Sequence, residues 1–418
     1  MLRVAGGPCS LCAAPGTFIP LPGGGASGAA EANLLDKVAP VGFEIKVPAR
    51  INILGNPSDA NEGAHQTISA AVNIWAGVIC RPASEWTLSC LVRQGDQGFQ
   101  LSHSLSLPQG RLPDYGTELD LSLAAIRTLL AHSPEFRSKF PARPLSLEFW
   151  SDVPRQSGLG GSTLIVLNTL VAMVHWFDLD RQRHNPYVLA ELTQRAEELE
   201  LNITCGFADR YVPLFGDIAY LDYRGKLFHR PFQQEPYVTY EKLGHLVEAP
   251  PLVAVSSGVP HHSGDLHRPM RARYLEEYRQ FQGDYEKAPF MVKIMKRIGD
   301  LAWQGKIALL EGDLHRFGEL MNENHRLVDE MMHYCGFAEG AGQANNLLIR
   351  AGREAGALGA KLTGAGGGGS VFMLVEPGQQ PETAARLEKK LIQFGMREGH
   401  VYVPSIVRQG LVILDRPE

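Results

Sequence analysis

At 418 residues the chain is long enough to bury a substantial core and to hold two domains or one large two-lobed unit. A hydrophobic fraction of 44% and a charged fraction of 20% are those of a soluble globular protein. The net charge of −5 supplies no basic field for nucleic acid and no polybasic anchor for a membrane, and no apolar run reaches the length of a membrane span.

Six cysteines are scattered along the chain: Cys9, Cys12, Cys80, Cys90, Cys205 and Cys335. Only Cys9 and Cys12 form a C-x-x-C pair, with no second pair or histidine at zinc spacing. All six read as free thiols in a reducing, cytoplasmic compartment. Residues 1–40 contain many Ala, Gly and Pro and show no periodicity, so they read as a disordered tail outside the fold. Neither a signal nor a transit peptide is supported there.

Order is expected from about Phe43. Residues 43–47 alternate like a strand, and residues 51–54 do so again after Pro48-Ala49-Arg50. A polar turn from Gly55 to Gly63 follows, rich in residues that favour turns. Residues 67–71, 73–80 and 86–92 extend an early, mostly antiparallel sheet, and 118–131 has helical periodicity.

Residues 145–150 read as a strand leading into Pro154-Arg155-Gln156-Ser157-Gly158-Leu159-Gly160-Gly161-Ser162-Thr163. The apolar run 164–176 is too long for an ordinary strand and reads as a buried helix. Strand, glycine-rich turn and helix N-terminus together suit phosphate, through free amides and the positive end of the dipole. The Ser162 and Thr163 hydroxyls suit capping, phosphate or a magnesium ion. Taken alone, the loop is equally a capped helix after a tight turn.

A helix over 186–201 breaks at 202–210, which leaves Asp209 just beyond a helix end, beside Gly206 and followed by Arg210. A carboxylate kept ionised by a cation can take a proton from a hydroxyl; a solvated surface acid is the competing reading. Glu198 could reach a cation from the preceding helix, or be an ordinary solvated charge. Strands are expected at 217–222, 227–230 and 252–256. After a basic, His-containing segment from His261 to Arg273 the chain turns helical through Leu327, with further helical pattern at 341–355.

Residues 360–363 lead into a glycine run that formally matches G-x-G-x-x-G at Gly364, Gly366 and Gly369. A dinucleotide fingerprint needs a helix after the glycines, and Ser370 to Val375 reads as a strand, so that fold is rejected. A helix at 381–394 and strands near Val401 and Leu411 complete an α+β chain, with a boundary near 235–250.

Three of these stretches, in this order, resemble one family: the GHMP small-molecule kinases, named for galactokinase, homoserine kinase, mevalonate kinase and phosphomevalonate kinase. Pro48-Ala49-Arg50-Ile51-Asn52-Ile53-Leu54-Gly55 is similar to its first motif, Pro154 to Thr163 to its ATP-phosphate loop, and Lys361 to Ser370 to its C-terminal glycine motif. Gly55-Asn56-Pro57-Ser58-Asp59, Gly206 to Arg210, and Ser263-Gly264-Asp265-Leu266-His267 with Arg271 and Arg273 sharpen the resemblance toward the glucuronokinase branch. The chain departs from the pattern in its single serine at Ser162, in Asp265 where a basic residue is usual, and at Pro213 to Asp217.

The resemblance implies a two-lobed α+β fold: a ribosomal S5 domain 2-like ATP-binding domain over 41–240 and a ferredoxin-like domain over 241–418. It implies transfer of the ATP γ-phosphoryl, with Mg²⁺, to the anomeric hydroxyl of a sugar acid, D-glucuronate first. Gly158, Leu159, Gly160, Gly161, Ser162 and Thr163, with Gly364, Gly366 and Gly367, would hold the ATP phosphates. Ser162 and Glu198 would bind Mg²⁺. Asp209 would be base or anchor for the hydroxyl, with Arg50 beside the transferred phosphoryl.

Asn56 and Asp59 would meet sugar hydroxyls, and Arg210, His267 or Arg271 the carboxylate. Trp75 to Val78 and Trp86 are candidates to cover the adenine, against plain core packing. The partners implied are ATP and a small sugar, in a monomer or homodimer. A galactose- or heptose-type 1-kinase and a catalytically silent sugar or nucleotide sensor are the alternatives. A mevalonate-type kinase shares the fold and base but does not explain the Asn-Pro-Ser-Asp turn.

Overall fold

The structure, a computed structural model, describes residues 42–61, 63–93, 98–154, 157–226, 237–259, 263–364 and 366–416. The expected tail, the Cys9–Cys12 pair, the strand at 227–230, and His261 and His262 lie outside the described residues. A first sheet holds β1 (Gly42–Leu54), β2 (Gln66–Pro82), β3 (Trp86–Arg93), β4 (Phe99–Leu107), β5 (Leu145–Ser151), β6 (Ile218–Asp222) and β7 (Thr239–Lys242). A second holds β8 (Leu252–Ser256), β9 (Gly359–Leu362), β10 (Ser370–Leu374) and β11 (His400–Tyr402). The last strand, β12 (Val412–Arg416), returns to pair antiparallel with β1, so the first sheet reads β12-β1-β2-β5-β3-β4 with β6 on β2 and β7 on β6.

Helices α1 (Asp120–His132), α2 (Pro134–Lys139), α3 (Gly161–Trp176), α4 (Pro186–Arg195) and α5 (Ala208–Phe215) belong to the first half of the chain. Then come α6 (Ser263–Tyr278), α7 (Phe290–Glu311), α8 (Leu314–Tyr334), α9 (Gln343–Glu354) and α10 (Gln380–Gln393). The second sheet runs β11-β8-β10-β9, the order of a ferredoxin-like βαββαβ unit, with α6 to α9 in the first crossover and α10 in the second. The mixed α+β, two-lobed architecture is thus the expected one.

Two cores explain why β1 is buried almost throughout, although its sequence alternates apolar and polar. One lies between the sheet and α1, α3, α4 and α5, with Ile45, Val78, Leu123, Leu167, Leu170 and Tyr211 fully buried. The other joins Val47, Ile51 and Ile53 to α7, α8 and the second sheet through Ile298, Phe317 and Phe372. The buried polar residues Arg50 and Asn52 of β1 are held by side-chain partners, Asp209 and Ser69. β1 and β2 are each one long strand where shorter pieces were expected. Pro48, which has no N–H to donate, sits at a register shift between Pro48 and Ala49 that the strand survives.

Elements α2, β4, α5 and β7 escaped the sequence. β4 is an exposed edge strand, and its many serines hide it from a search for buried alternation. α5 carries Pro213 inside its short span, and the segment reads as a break. Trp86 is 1% exposed and packs on Phe140 and Phe177, so it belongs to the core and not to an adenine site. Cys80, Cys90, Cys205 and Cys335 are free thiols. Among the described residues no helix is long and apolar enough to cross a membrane.

Gly77, in the middle of β2, lies against the Trp150 ring. A Cβ there would come within 2.6 Å of the Ile45 carbonyl oxygen and 2.7 Å of the indole. Gly77→Ala is therefore expected to destabilise the fold by roughly 1–3 kcal/mol. Urea unfolding checks this; a loss below a few tenths of a kcal/mol would show that the indole moves aside freely.

Candidate active site

Arg50 leaves β1 and runs beneath the glycine-rich loop to the first turn of α5. Its Nε donates to Asp209 Oδ1 at 2.6 Å and its Nη2 to Asp209 Oδ2 at 2.7 Å, while Nη1 donates to the Gly158 carbonyl at 2.6 Å. The two side chains are 4% and 14% exposed. A planar guanidinium fork suits this paired contact where a lysine does not. One arginine thus fixes a carboxylate and the phosphate loop at once. Burial alone would raise the Asp209 carboxyl, but the charge and hydrogen bonds of Arg50 win, helped by Arg210 and His267, and hold it below the ordinary carboxylate value. Its place in the first turn of a helix favours the same charge. Asp209 is therefore within a helix, not beyond one.

Asp59 stands behind Asp209. Its Oδ2 accepts from Ala208 N at 3.1 Å and its backbone carbonyl from Phe207 N at 3.2 Å, so the turn after Gly55 holds the start of α5. Any residue but glycine at Gly206 would put its Cβ 2.3 Å from that Asp59 oxygen. Burial, then the neighbouring Asp209 charge, lifts the Asp59 carboxyl to about 6.

The phosphate loop enters α3 through Gly160, whose φ of 85° is left-handed and which places no side chain over the helix end. The C-terminal glycine run meets this loop: a Cβ on Gly364 would lie 3.0 Å from the Gly158 Cα. Gly366 and Gly367 also hold positive φ, and the Gly367 backbone lies against Leu266 of α6. Two side-chain-free backbones therefore approach at one helix N-terminus, a surface that fits a phosphate group.

The Ser162 hydroxyl donates to Glu197 Oε1 at 2.9 Å, and that of Thr163 to both Glu197 oxygens at 3.0 and 2.9 Å. The acid beside Ser162 is thus Glu197, which corrects the expected Ser162–Glu198 pair. Residues Ala196–Glu200 form a π-helical turn, and this rotates Glu197 onto α3 and Glu198 the other way, 3.7 Å from Arg271 of α6. Burial lifts Glu197, opposed by Arg210 and the two hydroxyls, and lifts Glu198 to about 7 against Arg271. Ser162, Thr163 and Glu197 offer hard oxygens, as Mg²⁺ requires. Among the described residues no three His, Cys, Asp or Glu side chains converge as an all-protein cage, and a Mg²⁺ shared with phosphates does not need one.

Two further expectations are corrected. Arg210 is fully buried, donates to the Gly206 carbonyl and stacks its guanidinium over Phe207, so it is a counter-charge behind the acids and not a sugar ligand. Asn56, 1% exposed, turns away from any acceptor: its Oδ1 accepts from Lys361 Nζ at 2.5 Å, and its amide faces the Thr363 and Gly364 carbonyls at 3.4 and 3.5 Å. His267 and Arg271 remain half-buried on α6, toward Asp209 and Glu198 respectively. Glu197, Lys361 and Asn324 were missed by sequence reasoning. A pair of adjacent glutamates was the one signal for Glu197, and nothing local ranked one above the other.

Residues 121–217 match the model of the GHMP kinases N terminal domain and residues 306–393 that of GHMP kinases C terminal. The chain belongs to the GHMP kinase family. It is 30% identical to Glucuronokinase 1 of Arabidopsis thaliana over 353 residues, 82% of this chain and 88% of that one. It is 24% identical to the D-glycero-alpha-D-manno-heptose 7-phosphate kinase of Campylobacter jejuni, over 65% of this chain and 72% of that protein. In fold it is similar to the Lactococcus lactis galactokinase complexed with galactose, with a TM-score of 0.67 at 17% identity, covering 89% of this chain and 95% of that one.

Asp59 binds its proton more tightly folded than unfolded. Its ionisation therefore costs stability as pH rises from its ordinary 3.8 through about 6, and costs nothing below that window. Asp59→Asn should gain stability relative to the wild type between pH 4.5 and pH 7, read by urea unfolding at both. A difference that stays flat with pH would show Asp59 to be ionised without penalty.

Proposed function

We propose that this chain is an ATP-dependent sugar 1-kinase, transferring the γ-phosphoryl of ATP to the anomeric hydroxyl of a sugar acid, D-glucuronate. The observation that carries the reading is Arg50, which joins Asp209 to the phosphate loop at Gly158 and so sets an acceptor-side carboxylate against the donor side. The sugar acid rests on the 30% identity to a protein named a glucuronokinase, together with the Gly55-to-Asp59 turn. We read residues 41–240 as the ATP-binding domain and 241–418 as the C-terminal domain.

Phosphoryl transfer through a loose transition state needs charge neutralisation and in-line placement more than a strong base. Asp209, held ionised, orients the hydroxyl and accepts its proton as the new O–P bond forms. Arg50 keeps that carboxylate in place and puts positive charge beside the transferred group. Amides from Gly158 to Thr163, with the backbone at Gly364, Gly366 and Gly367, hold the phosphates. Ser162 and Glu197 would hold Mg²⁺, which would neutralise phosphate charge when bound. Asp59 meets the sugar, while His267 and Arg271, four residues apart on one face of α6, are the cations for its carboxylate now that Arg210 is turned inward.

An ADP-release assay with Mg-ATP and a panel of glucuronate, galacturonate, galactose, glucose, mannoheptose and mevalonate tests this. Turnover should be highest on glucuronate and fall roughly 10²–10⁴-fold in Asp209→Asn. Turnover on neutral sugars alone would keep the kinase and discard the uronate. Nucleotide binding without turnover on any acceptor would favour a sensor.

The metal reading is checked by titrating Mg²⁺. Glu197→Gln should raise the concentration for half-maximal rate by about 10-fold or more, and Glu198→Gln much less. The opposite order would return the metal to Glu198.

A further inference from the structure

Lys361 is fully buried, on β9, just before the C-terminal glycine run. Its three donors are all used, to the Asn52 carbonyl at 3.1 Å, the Asn56 Oδ1 at 2.5 Å and the Leu362 carbonyl at 2.7 Å, and its ammonium lies 5.3 Å from the Phe372 ring centroid. Oxygen acceptors on three sides are what a buried ammonium needs. Two of the three come from the first half of the chain, about three hundred residues away in sequence.

Asn56 is gripped on both sides, its oxygen by Lys361 and its amide by the Thr363 and Gly364 carbonyls. The same turn is pinned from α8: Gly55 N donates to Asn324 Oδ1 at 2.8 Å, and Asn324 Nδ2 donates to the Asn56 carbonyl at 3.1 Å. Three residues on from Asn56 is Asp59, which carries the start of α5 and so Asp209. On the other side Gly364 rests on Gly158. Asn56 therefore stands where the acceptor turn and the two phosphate-facing loops meet.

We propose that Lys361 is a positioning residue for phosphoryl transfer, acting through the Asn56 side chain to keep the acceptor carboxylates Asp59 and Asp209 in register with the loops at Gly158 and Gly364. The proposal rests on the kinase reading above. Its physical basis is that a displacement of about 1 Å in a reacting pair can cost about 10²-fold in rate while leaving ground-state binding nearly intact. Lys361 is fully buried with its donors on protein oxygens, so its loss should appear in kcat and not in KM.

The test uses the full chain with Lys361→Met, Lys361→Arg, Asn56→Ala and the double variant Lys361→Met/Asn56→Ala, rates being taken per folded protein well below each Tm. Phe136→Leu, in the core of α2 against Phe140 and Phe177, serves as a control for instability alone. Lys361→Met should lose about 10²-fold in kcat with both KM values within about threefold, and Lys361→Arg should restore part of it. The double variant should be no slower than the worse single, because both changes break one contact. The proposal is overturned if kcat per folded Lys361→Met stays within threefold of wild type, if the two losses simply multiply, or if Phe136→Leu loses kcat equally. A wild type that turns over none of the acceptors sinks the kinase reading first, and this proposal with it. A wild type that turns over beside an unimpaired Lys361→Met sinks only the positioning role.

Discussion

The paired contact between Arg50 and Asp209 is the constraint around which the site is built. Both groups are taken out of water, so removing either partner would leave an unmatched buried charge, at a cost of about 3–5 kcal/mol. The third nitrogen of Arg50 then fixes the phosphate loop by its Gly158 carbonyl. The pair also dictates what its neighbours can be. Gly206 has no room for a side chain because Asp59 comes up against the turn that delivers Asp209. Asp59 in turn sits so near that carboxylate that its own proton is held more tightly.

Around this pair the buried charges form a connected set. Asp59, Asp209, Glu197 and Glu198 supply the negative side; Arg50, Arg210, Arg271 and Lys361 the positive. Arg210 is spent on the Gly206 carbonyl, yet its charge opposes the protonation of Glu197 and Glu198 and helps keep Asp209 ionised. Such networks are weak sources of net stability, since desolvation offsets the attraction. Their value here is geometric: Arg50, Arg271 and Lys361 span elements distant in sequence, β1 to α5, α6 to the π-helical turn, and β9 to the turn after β1.

How much of this was legible depended on whether the signal was local. The strand, glycine turn and helix around Gly160 announce themselves, because a left-handed backbone and an apolar helical run are properties of a few consecutive residues. Arg50 and Asp209 were legible through the motifs that contain them. Glu197 was not: adjacent glutamates differ by one step around a helix, and a π-helical turn decides which one faces Ser162. Asn56 was read as a sugar ligand because an amide in a polar turn looks available. The lysine that claims it lies 305 residues away.

The sequence by itself determined where the backbone must run free of side chains, at Gly158, Gly160 and Gly364. It also determined the α+β layout, since glycine freedom and hydrophobic periodicity are written into neighbouring residues. Only the tertiary structure decided which charge meets which. Ion pairs and hydrogen bonds between buried groups depend on packing across the two sheets, and a rotation of one residue along a helix exchanges a metal-facing acid for an arginine-facing one. Arg210, alike in type to Arg50 and 160 residues further along, became a buried counter-charge because the carbonyl of Gly206 and the ring of Phe207 surround it.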